Sequence, residues 1–85
     1  MAVSRRPRAV VEREGSEHVV VLIRPDNSRS YYVSTGVDES DVVFPYITDG
    51  VKKAKKFGHE TTAKKVAGDM TAFLNREYRH LAKWV

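Results

Sequence analysis

The sequence predicts an α+β domain: an antiparallel sheet of three to five strands with one long amphipathic helix packed on one face, plus a short lysine-rich helix. Three observations predict it. His18–Arg24 is a seven-residue run with four β-branched residues, flanked by turn-forming clusters. Residues 30–34 and 42–44 add two further short apolar runs of strand length. From Thr48 onward the apolar period changes from two to three or four, as on the buried side of a helix.

Taken in order, residues 1–8 carry Arg5, Arg6, Arg8 and Pro7 with few apolar groups, and are expected to be a flexible basic arm. A single domain follows over residues 9–85. Val10 and Val11 open a short strand that ends at the turn-like cluster Glu14-Gly15-Ser16-Glu17. His18–Arg24 is apolar on both faces, which fits a central strand covered on both sides. Arg24-Pro25-Asp26-Asn27 offers a turn, because proline presets φ and Asp and Asn tolerate the remaining positions. Ser30–Ser34 is then its hairpin partner, with Tyr31 and Tyr32 on opposite faces.

Thr35–Asp41 reads as a loop rich in acids. Val42–Phe44 reads as a strand that Pro45 limits, and an edge position follows because proline cannot donate to a ladder. Thr48 or Asp49 can cap a short helix through Phe57, with Ile47, Val51 and Ala54 at helical spacing. Gly58 ends it. The main helix is predicted over residues 60–78. Ala63, Val66, Ala67, Met70, Phe73, Leu74 and Tyr78 form its apolar stripe, and Lys65, Asp69, Ala72, Arg76 and Arg79 mark the opposite face. Gly68 is expected to let this helix approach the sheet closely. Leu81–Val85 continues the stripe but also alternates. A final strand is favoured because it gives the sheet another edge partner.

Size and composition bound the function. Eighty-five residues support one core. A chain of this size buries about two thirds of its unfolded surface, and its stability is expected in the range of about 4–13 kcal/mol. The absence of cysteine removes disulfides, thiolate nucleophiles and sulfur-ligated metals. The longest apolar run, Val19–Ile23, is far short of a membrane span. No apolar stretch follows the N-terminal arginines to form a secretory signal.

Charge is divided along the chain. The overall charge is +4. Residues 9–49 hold three arginines against eight acids, a net −5. Residues 50–65 hold six lysines against Glu60, a net +5. Such a division favours an anionic partner for the second half.

Catalytic chemistry finds few supports. The serines and threonines lie in turns or at helix ends, outside any nucleophile-base context, so a non-enzymatic role is expected. His18, His59 and His80 have no pair at zinc spacing and read as separate surface or capping residues. Asp38-Glu39-Ser40-Asp41 has oxygen ligands but lacks the glycine and terminal glutamate of a calcium loop, and reads as solvated. The five glycines are scattered, so no phosphate-cradling loop is expected. Neither a metal nor a cofactor is expected.

The basic cluster Lys52, Lys53, Lys55, Lys56, Lys64 and Lys65 is the candidate partner-binding set. A solvated lysine surface is the competing reading. Lysine predominates over arginine, so bidentate base reading is not expected, and contact with phosphates would be nonspecific and weak.

From Tyr31 onward the layout resembles small proteins encoded by prophages and mobile elements. The residues that carry the likeness are the tyrosines of the hairpin, Ile47-Thr48-Asp49 leading to Ala54-Lys55-Lys56-Phe57, Ala63 six residues later, the amphipathic helix and the short apolar C-terminal strand. The pattern usually has a Ser, Thr or Asp helix cap where this chain has Gly58-His59. The resemblance implies a protein-binding module in the cytoplasm of a bacterial host cell. It would inhibit a host defence complex in the manner of anti-CRISPR proteins, so the implied partner is a host protein or protein–nucleic acid complex. The alternative is a nucleic-acid-binding accessory protein using the Lys52–Lys65 basic face.

Overall fold

A computed structural model describes residues 7–37, 39–41 and 43–75, and the main chain of 83–84. The chain is α+β. Strands β1 (Arg8–Glu14), β2 (Glu17–Ile23), β3 (Arg29–Val37) and β4 (Val43–Thr48) form an antiparallel meander. Helix α1 (Glu60–Leu74) packs on one face of it, against β1 and β2. Strand β5 (Lys83–Trp84) joins the far edge, giving the order β1-β2-β3-β4-β5. It runs parallel to β4, which requires a crossover, and α1 lies in that connection.

Turn chemistry sets the first two hairpins. Gly15 alone is left-handed in the β1–β2 turn, at φ 64°, the pattern of a two-residue type II′ turn. At the β2–β3 connection Asn27 N–H donates to Arg24 O, and Asn27 takes φ 69°. The Asp26 carboxylate accepts from Ser28 N–H at 2.9 Å. Its pKa is lowered, chiefly by hydrogen bonding with the side chain and then the main chain of Ser28.

β2 is covered on both faces, as its composition predicts. Val20 and Leu22 face α1 with Tyr32, Phe44, Ile47 and Phe57, and meet Ala63, Ala67, Met70, Phe73 and Leu74 of the helix. Val19, Val21 and Ile23 face the other way, under Val10, Tyr31, Val51 and Ala54. There Arg29 on β3 reaches Glu12 on β1 as an ion pair. The Arg29 guanidinium is held above its ordinary pKa, first by Glu12 and then by Tyr31. Both side chains of the pair are about two-fifths exposed, so its stabilisation is at most about 1 kcal/mol.

Several expectations need correction. β3 extends to Val37 rather than stopping at Ser34, and β4 runs through Pro45 to Thr48. Pro45 is fully buried inside β4. It is tolerated because the ladder to β5 starts only after it, at Tyr46 and Ile47. The short lysine-rich helix is only a 3-10 turn, Val51–Lys53. The reason is that β2 and β3 remain paired over only three residues, Val21↔Tyr31 to Ile23↔Arg29. They then diverge, and extended chain fills the gap. Lys55 N–H donates to Tyr32 O at 2.9 Å, while Phe57 and His18 exchange two main-chain bonds of 2.8 and 2.9 Å. A helix through Phe57 would leave those groups without partners.

α1 is described to Leu74, with Asn75 as its C-cap; the predicted turn to Tyr78 lies outside the described residues, as does most of the arm at residues 1–8. Of that arm, Arg8 belongs to β1 and Pro7 O accepts from Asn75 Nδ2. His59 occupies the N-cap without a side-chain bond, and Glu60 supplies the favourable charge in the first turn. Gly68 is exposed with open space around it, so it does not mediate close approach to the sheet. Gly36 does the work of close approach instead. A Cβ there would stand 2.7 Å from Phe44 Cζ and 2.9 Å from Tyr46 Cε2. Those two rings pack edge-to-face with centroids 5.1 Å apart.

The helix caps the outer edge of β1 at Ala9. Ala9 N–H donates to Thr71 Oγ1 at 2.9 Å, and that hydroxyl lies 3.3 Å from Ala9 O, placed to donate back. A side chain on α1 thus occupies both main-chain groups that Ala9 would offer to an added strand.

Two stability experiments follow from these contacts. Thr71→Val keeps the shape and removes both bonds, and should cost about 1–2 kcal/mol. Faster hydrogen exchange at the Ala9 amide should accompany it; slow exchange there in the variant would mean another group closes this edge. The two glycines should respond with opposite signs in urea denaturation. Gly68→Ala should stabilise by about 0.5–1 kcal/mol, and Gly36→Ala should destabilise by about 1–3 kcal/mol through overpacking against the two rings.

Candidate functional site

The six lysines are placed by three local structures. Lys52 and Lys53 sit on the 3-10 turn that follows Gly50, both exposed. Lys55 is exposed in the extended piece between β2 and β3, its main chain fixed to Tyr32. Lys64 and Lys65 are exposed near the start of α1. Lys56 differs: it is half-buried, and its Nζ donates to Val51 O at 2.7 Å and to Ala54 O at 3.2 Å.

The sheet divides this set. Val51 and Ala54 pack against Val19 and Val21, on the side away from α1. Phe57 packs on the helix side, its ring stacked on Tyr32 with centroids 6.2 Å apart. The chain therefore crosses from one face of the sheet to the other between Ala54 and Phe57. Lys52 and Lys53 belong to the face opposite α1, Lys64 and Lys65 to the helix side, and the six do not gather into one surface. Lys64 is also within 3.7 Å of Glu60 one turn earlier.

The lysines that stay close along the chain are those of the basic turn and the extended residue that follows it. Lys52, Lys53 and Lys55 project from a segment that Lys56 holds from inside. Lys53 N–H donates to Gly50 O at 3.3 Å and Ala54 N–H to Val51 O at 3.2 Å, both long bonds. The ammonium of Lys56 adds a charge-assisted bond to the same Val51 carbonyl. Arg29, on the same face, is engaged by Glu12.

Sequence reasoning treated Lys56 as equivalent to its neighbours. Its spacing five residues after Val51, on chain that leaves a turn, is a weak signal for a lysine capping carbonyls. The apolar pair Val37 and Val43 carries no signal in the sequence, because Val37 lies in an acid-rich segment with the composition of a loop. They are the large apolar side chains left most open among the described residues, 60% and 50% exposed.

The remaining titratable groups do not assemble. His18 and His59 lie at a strand start and a helix N-cap, and His80 lies outside the described residues. Among the described residues no group of three or more His, Asp or Glu could hold a metal ion, and no helix is long and apolar enough to cross a membrane. Comparison with protein-family models, curated proteins and solved structures gives no match to this chain.

The capping role of Lys56 is measurable. Lys56→Met retains the aliphatic stem and removes both carbonyl bonds, with an expected loss of about 1–2 kcal/mol. Exchange at the Lys53 and Ala54 amides should quicken in native-state hydrogen exchange. Unchanged protection at both would mean that Lys56 does not hold the turn.

Proposed function

We propose that this chain is a non-enzymatic protein-binding module whose basic turn, Lys52, Lys53 and Lys55, docks on an acidic face of a partner. The finer reading is an inhibitor carried by a phage or mobile element, acting in the bacterial cytoplasm on a host protein or protein–nucleic acid complex. Lys64 and Lys65 would extend the contact on a partner that wraps to the helix side.

The observation that supports this reading is the tethering of the turn by Lys56. A solvated lysine surface has no need of a fixed backbone. A binding loop gains from one, because less conformational entropy is lost when the partner arrives. Nucleic acid is the alternative partner. Three lysines without arginine forks would neutralise about three phosphates, giving a salt slope of about −3 on duplex DNA. The acidic residues elsewhere on so small a domain leave little long-range attraction beyond a screening length of about 8 Å.

Two measurements separate the readings. Fluorescence anisotropy with labelled duplex and single-stranded oligonucleotides should give dissociation constants near roughly 10⁻⁴ to 10⁻⁶ M at physiological salt. Affinity capture from bacterial lysate with nuclease should retain a protein that Lys52→Glu/Lys53→Glu/Lys55→Glu loses. Oligonucleotide binding tighter than about 10⁻⁷ M at physiological salt, abolished by that triple variant, would exceed nonspecific levels and make the chain a nucleic-acid-binding accessory protein instead.

A further inference from the structure

A second surface lies at the other end of β4. The β3–β4 hairpin continues past the point where β2 diverges, so its last residues leave the sheet's two-sided cover. Val37 and Val43 stand directly opposite each other there. Facing residues on paired strands have side chains within about 4.5–5.5 Å of each other, so the two valines form one apolar step rather than two isolated contacts. They are 60% and 50% exposed. Glu39 and Asp41, in the loop between them, are exposed too.

The same molecule protects its other edge. At β1, Thr71 closes Ala9, and charged residues occupy positions 12, 13 and 14, the usual defences of an edge strand. At the hairpin end β3 and β4 carry no charged side chain between Val33 and Val37 or between Val43 and Thr48. The acids are confined to the connecting loop.

We infer that this hairpin end is a docking surface for a basic protein segment that carries aliphatic side chains. Charge decides the occupant. The valines supply burial, and the carboxylates of Glu39 and Asp41 beside them select lysine or arginine and reject acidic or nucleic-acid partners. This surface is separate from the basic turn. The turn follows Thr48 and the hairpin end precedes Val43, so the length of β4, about 17 Å, separates them. A second copy could present its basic turn here, and such a head-to-tail contact would close into a ring or repeat as a filament. The occupant is a basic segment of a different protein, on the charge of Glu39 and Asp41, and self-association is an outcome of the test.

The test uses the full chain and three short fluorescein-labelled peptides of alternating sequence: Lys–Val, Lys–Ser and Glu–Val. The Lys–Val peptide should bind at least about tenfold more tightly than either of the others, a difference of about 1.4 kcal/mol. The variant Val37→Ser/Val43→Ser should lose about tenfold for that peptide, with its thermal midpoint nearly unchanged because both side chains are exposed. The variant Lys52→Glu/Lys53→Glu/Lys55→Glu should bind it no more weakly than the native chain, which separates failure here from failure of the basic-turn reading. Amide shifts on titration should centre on residues 37–43. Equal binding of all three peptides, or a Val37→Ser/Val43→Ser variant that binds as the native chain does, would overturn the proposal. Self-association in sedimentation that this double variant abolishes would also overturn it, by making a second copy the occupant.

Discussion

The divergence of β2 from β3 is the constraint on which the rest of the structure depends. Two strands that part inside a domain leave main-chain donors and acceptors facing a gap, and burial makes unpaired groups costly. Here the gap is closed by residues 55–57, through Lys55 to Tyr32 on one side and Phe57 to His18 on the other. Those bonds fix where the chain crosses the sheet. Phe57 then enters the helix-side core, Ala54 the opposite core, and α1 begins three residues later. The exposed basic turn, the starting point of the helix and the free end of the β3–β4 hairpin are all consequences of that one insertion.

The insertion also turns a sequence-level charge division into a spatial one. Acidic residues 39 and 41 precede β4, and lysines 52 and 53 follow it. An antiparallel strand carries its two flanking loops to opposite ends, so opposite charge is kept apart by the strand rather than cancelled within one loop. At a screening length of about 8 Å, two patches separated by about 17 Å act almost independently. The net charge of +4 therefore describes neither end. A partner that reads one patch is largely insulated from the other.

Much of the fold was legible because it rests on local chemistry. Four β-branched residues in His18–Arg24, the Arg24–Asn27 turn and the three- and four-residue spacing from Ala63 to Leu74 each encode their element directly. What was not legible depended on contacts distant in sequence. Val51-Lys52-Lys53-Ala54 has helical spacing, and nothing within it reveals that Tyr32 and His18 await partners. Pro45 pointed to a limited edge strand, but where β5 meets β4 is a tertiary fact. Gly36 and Gly68 are alike as letters; only the Phe44 and Tyr46 rings distinguish them. The candidate site fared similarly. Lysine composition marked the segment, but the sheet that passes between Lys53 and Lys64 could not be read from it, nor could the carbonyls that hold Lys56.

The role of Lys56 shows how a small domain can hold an exposed turn without a dedicated scaffold. With one core, rigidity cannot come from added layers. It comes from elements that already have structural duties. Residues 55–57 complete the sheet, and the turn ahead of them inherits that order. A 3-10 turn of three residues with bonds of 3.2 and 3.3 Å would be weak alone. Val51 and Ala54 anchor its two ends in the core, and the Lys56 ammonium satisfies the carbonyls of both. One lysine of the basic run is half-buried, and the main chain that carries Lys52, Lys53 and Lys55 is held by hydrogen bonds. The order of the main chain under those three lysines and the integrity of the sheet between β2 and β3 are therefore one property of the fold.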